Sequence, residues 1–192
     1  MSTDPSPLRG IGALVTGGGS GIGLAVPERL AADGALVVRA APAWVLERHP
    51  EAQIGPLAAA VTDEDAVAAA VGTAAERADG HLAAVVASAG GSESIGPVTQ
   101  LELEAWERTV ALNLTRTMLA LKHGAAAMVR GGGGPFVAIS SIASRTSHPW
   151  FGAYGPSKAA IDQLCRQAAD ELGPSQVRVN AICPGLIRTD LV

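Results

Sequence analysis

Charge is scarce in this chain. Charged residues make up 17% of its 192 positions, and 48% are hydrophobic. An ordinary globular domain carries about 25% charge. The composition excludes a disordered chain and predicts a well-buried protein. A net charge of −4 gives no basis for nucleic acid or an anionic membrane surface as a partner. No uninterrupted apolar stretch is long enough to span a bilayer. The opening MSTDPSPLRG lacks the basic-then-apolar order of a secretory signal. The two cysteines, Cys165 and Cys183, have no metal-ligand spacing and read as reduced thiols of a cytoplasmic protein. His49, His81, His123 and His148 share no ligand spacing either, so no metal is expected. Tyrosine occurs once, at Tyr154.

What is present is alternation. The length suits one domain over residues 1–192, with a loose arm over Met1–Arg9. Ile11 to Val15 is a short apolar run, followed by Thr16-Gly17-Gly18-Gly19-Ser20-Gly21-Ile22-Gly23 and a helical pattern ending at Asp33-Gly34. Ala35 to Ala40 is the next strand. In that order the glycines let backbone approach a pyrophosphate, and the helix start offers unpaired N–H groups. Pro27 lies inside the helix and predicts a kink and lost stability. Ala41 to Pro50 reads as a short helical piece and Gln53 to Ala60 as a third strand. Thr62-Asp63-Glu64-Asp65 resembles a capping box, opening a helix that runs to Ala78. Leu82 to Ala87 is a fourth strand, followed by a loop from Ser88 to Pro97.

Leu103, Trp106, Val110, Leu114, Met118, Leu121, Ala125 and Met128 fall at steps of three or four and predict one long helix with one apolar stripe. Asn113 lies beside the stripe and, taken alone, reads as an exposed helical asparagine. Phe136 to Ile139 is a fifth strand delivering Ser140 and Ser141. A helix opening near Pro156 carries Lys158 and stops at Gly173-Pro174. Val177 to Ile182 is a sixth strand. Alternating strands and helices predict a parallel sheet covered on both faces. Ligands bind beyond the carboxyl ends of such strands, where Thr16, Ser88, Ser141 and Pro184 converge.

Tyr154 and Lys158 are four apart and share a helix face. A free phenol titrates near ~10. A lysine cation beside it favours the phenolate and brings the phenol into a useful range. Ser141, thirteen residues before Tyr154, presents a hydroxyl to a carbonyl oxygen. Trp150 and Phe151 either line the pocket or pack in the core. Cys165 reads as a small apolar contact.

The ordered set Thr16-Gly17-x-x-x-Gly21-x-Gly23, Asn113, Ser141, Tyr154-x-x-x-Lys158 and Pro184-Gly185 resembles the short-chain dehydrogenase/reductase family from about Leu8 onward. The resemblance implies an α/β, Rossmann-type doubly wound sheet of six strands. It also implies NAD or NADP as cofactor and hydride transfer to or from a small alcohol or ketone. In it, Tyr154 is the general acid and base, Lys158 lowers the tyrosine pKa and holds the nicotinamide ribose, Ser141 binds the substrate oxygen, and Asn113 holds a relay water. The implied cofactor set is Gly17, Gly19, Ser20, Gly21, Ile22 and Gly23, then Ser88, Ala89 and Gly90, then Tyr154 and Lys158. Pro184, Gly185, Ile187 and Thr189 complete it on the carboxamide side. The chain departs from the pattern at Ala41, Ala60 and Ala87-Ser88, which depletes the adenosine side of polar contacts. With no acid at Ala41 and with Arg39 two residues earlier on the same face, the balance tilts to NADP. Family members continue past the Thr189 region through a covering loop, a helix and a final strand. The chain is expected either to be a fragment or to lack them, which exposes the sixth strand as an edge. A homodimer through the long helix and the helix after Tyr154 is expected. A second reading stays open, a cofactor-binding sensor or partner subunit with weak or no catalysis.

Overall fold

In the computed structural model, which describes residues 6–47, 54–58 and 62–189, six parallel strands form one sheet in the order β3-β2-β1-β4-β5-β6. They are β1 (Gly12–Thr16), β2 (Leu36–Ala41), β3 (Pro56–Ala58), β4 (Leu82–Ala87), β5 (Gly134–Ile139) and β6 (Val177–Ile182). Between them run α1 (Gly21–Ala32), α2 (Ala43–Leu46), α3 (Glu64–Glu76), α4 (Leu103–Val110), α5 (Arg116–Arg130) and α6 (Tyr154–Leu172). The chain winds outward from β1 to β3, returns to lay β4 against the other side of β1, then winds outward again. That reversal opens a crevice at the carboxyl ends of β1 and β4.

The strands read as apolar runs because both faces are covered. All five residues of β1 are buried. Leu14 joins a core shared with α3, α5 and α6, whereas Ala13 and Val15 join a second core with Val26 and Leu30 of α1. β4 and β6 fall on their expected residues, and β1 and β2 lie one residue further on. Of the third strand's expected span only part lies in the described residues, and there it is Pro56–Ala58. Proline is tolerated because it opens a strand at the sheet edge.

Expectations for the arm and the long helix need correction. The arm is docked from Ser6 onward: Leu8 donates its N–H to Asp33 O at 2.9 Å and packs on the second core. Residues 1–5 lie outside the described residues, as do Ala60 and His49. Pro27 falls inside α1, as the helical pattern around it predicts, and is buried. The capping segment holds as expected, with Asp63 as the cap of α3, its carboxylate accepting from Ala66 N at 3.0 Å.

The long helix is two helices, α4 and α5, joined by a π turn over Ala111–Thr115. The extra residue shifts the register of α4 against α5: Leu103 is 68% exposed, whereas Thr109 and Asn113 are buried. Met118, beyond the π turn in regular α5, is 37% exposed, and Thr117 beside it is buried.

Candidate active site

The glycine turn sits at the crevice. Gly17 and Gly18 donate their N–H groups to Ala40 O at 2.8 and 3.3 Å. Gly17 has φ +71, and a Cβ there would run into the backbone nitrogen of Ala89. Conformation and space both demand glycine, and the turn lies directly on the Ser88-Ala89 backbone. Gly23 packs on the Gly17 carbonyl, with Ser88 Oγ alongside. Ser20 caps α1 without a side-chain hydrogen bond, and no acidic residue occupies the first turn. The N–H groups around Gly21, Ile22 and Gly23 are therefore left for an anion. Thr189 lies beside Gly21, 3.1 Å from where its Cβ would stand.

On the adenosine side, Gly19 faces Val45 and Ala41, and Gly18 lies against the stem of Arg39. Ala41 is 1% exposed and so is Arg39. The position expected to hold an acid is thus filled by apolar packing, with a guanidinium buried on the same face of β2.

Asn113 is 0% exposed, which overturns its reading as a surface residue. A π turn leaves backbone groups out of the regular ladder, and side chains take them up. Asn113 Nδ2 donates to Thr109 O at 3.0 Å and to Gly91 O at 2.8 Å, while Oδ1 accepts from Gly91 N at 3.1 Å. Thr117 Oγ1 donates to Asn113 O at 2.8 Å. These bonds pin the loop after β4 to the helix. A Cβ on Gly90 would stand 2.7 Å from Asn113 Oδ1 and 3.0 Å from Lys158 Nζ. Gly90 is where loop, asparagine and lysine meet, and only hydrogen fits there.

Lys158 is 3% exposed. Its Nζ donates to Ile139 O at 2.8 Å and lies 5.6 Å from the centre of the Tyr154 ring. Burial pushes the ammonium down to about 8, while Asp162 and Cys183 oppose the fall. At neutral pH it still carries its charge. Tyr154 opens α6, and Pro156 falls in the first turn, where its missing N–H is harmless. Ser140 Oγ donates to Lys158 O at 3.1 Å. Ser141 is 8% exposed, and its Oγ accepts from Ala143 N at 3.1 Å. With a lone pair so occupied, its own proton remains available to an acceptor. Ile142 N donates to Pro184 O at 2.8 Å, which joins the Pro184-Gly185 turn to the serine loop.

Two loops frame the mouth. Gly96 N donates to Trp150 O at 2.8 Å, and Ala153 N donates to the buried Ser94 hydroxyl at 3.4 Å. Trp150 is 62% exposed, Phe151 48% and Ile95 73%. Of the two readings of the aromatics, core packing is excluded. Ile187 is 44% exposed just beyond Gly185. Cys165 is buried in the core, as expected, and burial pushes its thiol up to about 11. Among the described residues no cluster of potential metal ligands occurs, and no helix is long and apolar enough to cross a membrane.

A buried carboxylate went unnoticed in the sequence. Asp162 lies four residues beyond Lys158 on α6. It accepts from Ser144 Oγ at 2.7 Å and Arg145 Nε at 2.9 Å, with Cys183 Sγ at 3.7 Å. Burial alone raises its carboxyl pKa. The Ser140 and Ser144 hydroxyls and the Arg145 guanidinium outweigh that and hold it below the usual range. The available signal was spacing, since Tyr154, Lys158 and Asp162 continue one i, i+4 row.

A family model described as short chain dehydrogenase matches residues 12–192. The chain is 38% identical over 186 residues to cis-4-hydroxycyclohexanecarboxylate dehydrogenase of Sinomonas cyclohexanicum, covering 94% of this chain and 74% of that protein. It is 36% identical over 180 residues to 2-(S)-hydroxypropyl-CoM dehydrogenase 3 of Xanthobacter autotrophicus, covering 90% and 70% of the two chains. Among solved structures, a short-chain type dehydrogenase/reductase from Mycobacterium ulcerans superposes with a TM-score of 0.92 at 51% identity, covering 96% of this chain and 70% of that one. Levodione reductase superposes with a TM-score of 0.90 at 29% identity, covering 96% and 75%. The chain belongs to the short-chain dehydrogenase/reductase family, whose members are NAD(P)-dependent oxidoreductases of alcohols and carbonyls.

Proposed function

We propose that Tyr154 is the proton donor when this enzyme reduces a carbonyl and the proton acceptor when it oxidises an alcohol. The observation that carries this is the buried Lys158 ammonium held 5.6 Å from the centre of the Tyr154 ring, beside the glycine turn. A cation so placed favours the phenolate left behind when the proton is given up. Ser141 has its proton free to hold the substrate oxygen while Tyr154 delivers its own. Asn113 Oδ1 and Lys158 Nζ both lie against the Gly90 position. That supports the relay through Asn113.

The residues fit a nicotinamide dinucleotide. The turn from Gly17 to Gly23 offers close backbone and an uncapped helix start for the pyrophosphate. The approach of Gly17 to Ser88-Ala89 supports Ser88, Ala89 and Gly90 as crevice lining, and Thr189 beside Gly21 supports Pro184, Gly185, Ile187 and Thr189 as its β6 side. When bound, that cofactor supplies or accepts the hydride. NADP is the proposed form. Ala41 offers no carboxylate to repel a 2′-phosphate, and the buried Arg39, its stem against Gly18, would favour that phosphate only through its charge and not by contact. The exposed Trp150, Phe151 and Ile95 suit a hydrophobic or moderately polar alcohol/ketone pair. A relative is named for a ring-borne alcohol, so cyclohexanols and cyclohexanones head the substrate panel. The exposed groove between α5 and α6 is the proposed homodimer contact.

The test is a side-by-side titration with NADH and NADPH, followed by cofactor oxidation over a carbonyl panel. The expected result is binding of both, NADPH more tightly, with oxidation by at least one cyclic ketone. Binding without oxidation of any carbonyl identifies a sensor or partner subunit instead.

A further inference from the structure

We propose that Asp162 is a positioning residue for the Tyr154–Lys158 pair: its clamped carboxylate locks the segments carrying Ser141, Lys158 and Pro184 into one frame and supplies a fixed negative charge on the ammonium's own helix face. As a statement about catalysis this rests on the roles given to Tyr154 and Lys158 above.

The geometry supports the frame. Asp162 has a side chain only 5% exposed, so its charge is not a solvated surface charge. Three segments converge on it. Ser144 Oγ lies 2.7 Å from both Asp162 Oδ2 and Ser141 O, so its single proton is shared between the carboxylate and the serine backbone. Arg145, from the same turn, donates to the same oxygen at 2.9 Å. Cys183, at the end of β6 and next to Pro184, contacts both carboxylate oxygens at 3.7 and 3.8 Å. The third segment is α6 itself, one turn below Lys158. A buried ion without partners is costly, and here every partner comes from a loop that bears a site residue.

The electrostatics point the same way. Burial drives the Lys158 ammonium towards neutrality, and Asp162 is the first of the two groups that oppose it, Cys183 being the second. The groups facing this pair are Tyr154 and Cys165 on α6, Arg145 from the turn after β5, Cys183 after β6 and the uncharged Asn113 from the π turn. Removing the carboxylate leaves Lys158 easier to deprotonate. Removing the Arg145 cation does the opposite. A residue with only a packing role predicts neither sign.

The chain makes the measurement simple, because its only lysines are Lys122 and Lys158. Lysine isotope-labelled at Cε gives two signals whose shifts are followed against pH. Lys122 is exposed and paired with Glu64 at 2.6 Å, and serves as internal control. Asp162→Asn is expected to lower the Lys158 midpoint by about one pH unit. Arg145→Gln is expected to raise it by about half a unit, with Lys122 unmoved in both. If Asp162→Asn does not fold, Arg145→Gln, at a half-exposed side chain, decides alone. In turnover, an alkaline limb set by loss of the Lys158 proton moves to lower pH in Asp162→Asn. A Lys158 midpoint that coincides with wild type in every folded variant, even with lowered thermal stability, makes Asp162 a structural staple and overturns the proposal. The titration needs no turnover, so a responding Lys158 in a chain that reduces no carbonyl would sink the redox reading and leave this one standing.

Discussion

Lys158 shows what the site costs the protein. The group loses its proton at about 8 when folded and near 10.5 when unfolded, a difference worth about 3 kcal/mol. The folded pKa is the lower one. Between the two values the unfolded chain binds more protons, so stability rises with pH across that window, and the penalty is fully present below it. Chemical denaturation of wild type and Lys158→Met, below about pH 8 and above about pH 10.5, reads this directly. The difference in unfolding free energy should move towards wild type by about 3 kcal/mol over that interval. A difference that stays constant removes the buried-ammonium argument. At this scale the Tyr154–Lys158 spacing was legible, because a helix face follows from counting. The burial of Asn113 was not. It depends on a π turn, and nothing in Ala111-Leu112-Asn113-Leu114-Thr115 distinguishes that turn from ordinary helix. Asp162 was missed for a related reason, since its partners Ser144 and Cys183 lie 18 and 21 residues away along the chain.

Elements were the most readable level. Strands buried on both faces must be apolar runs, and β4 and β6 are found where the runs are. The junction of α4 and α5 was misread because apolar spacing alone carries no sign of one inserted residue. Leu103, before the insertion, continues the periodicity yet faces outward. Pro27 is the reverse case, a helix breaker in a helix that stays intact. Proline inside a helix lacks the N–H that would bond Gly23 O, at a cost of about 3 kcal/mol in an open helix. Pro27 is buried, so alanine would give back part of this gain in lost packing. Pro27→Ala is expected to raise the unfolding free energy by about 1 to 2 kcal/mol, measured by denaturant titration. A lower stability would mean that the ring's packing outweighs the missing donor.

For the whole molecule, the sequence placed its motifs at one sheet edge by alternation alone. The reversal of strand order beside β1 brings Gly17 onto Ala89 and Lys158 beside Gly90. The exposed apolar residues belong to this scale too. Met118 and Val129 are 37% and 40% exposed, and with Leu164 and Leu172 they line a groove of about 320 Å³ between α5 and α6. Apolar helical faces of this kind suit a two-fold contact in which each copy offers the same surface. Sedimentation should find a dimer, and Leu164→Glu should shift it to monomer. A wild-type monomer at micromolar concentration contradicts the dimer. The adenosine side was legible only as a set of departures. What fills Ala41's surroundings, Val45 and the buried Arg39, required coordinates, because the partners of a strand end are set by the loops above it.

The central claim is that the Tyr154 hydroxyl moves the proton. The most direct measurement compares wild type and Tyr154→Phe for NADPH binding and for ketone-dependent NADPH oxidation in the same preparation. Phenylalanine keeps the ring beside Lys158 and removes only the acid. The expected result is cofactor affinity within about twofold of wild type and turnover reduced at least a hundredfold, the scale of a lost general acid. A Tyr154→Phe enzyme that oxidises NADPH at a rate near that of wild type contradicts the account.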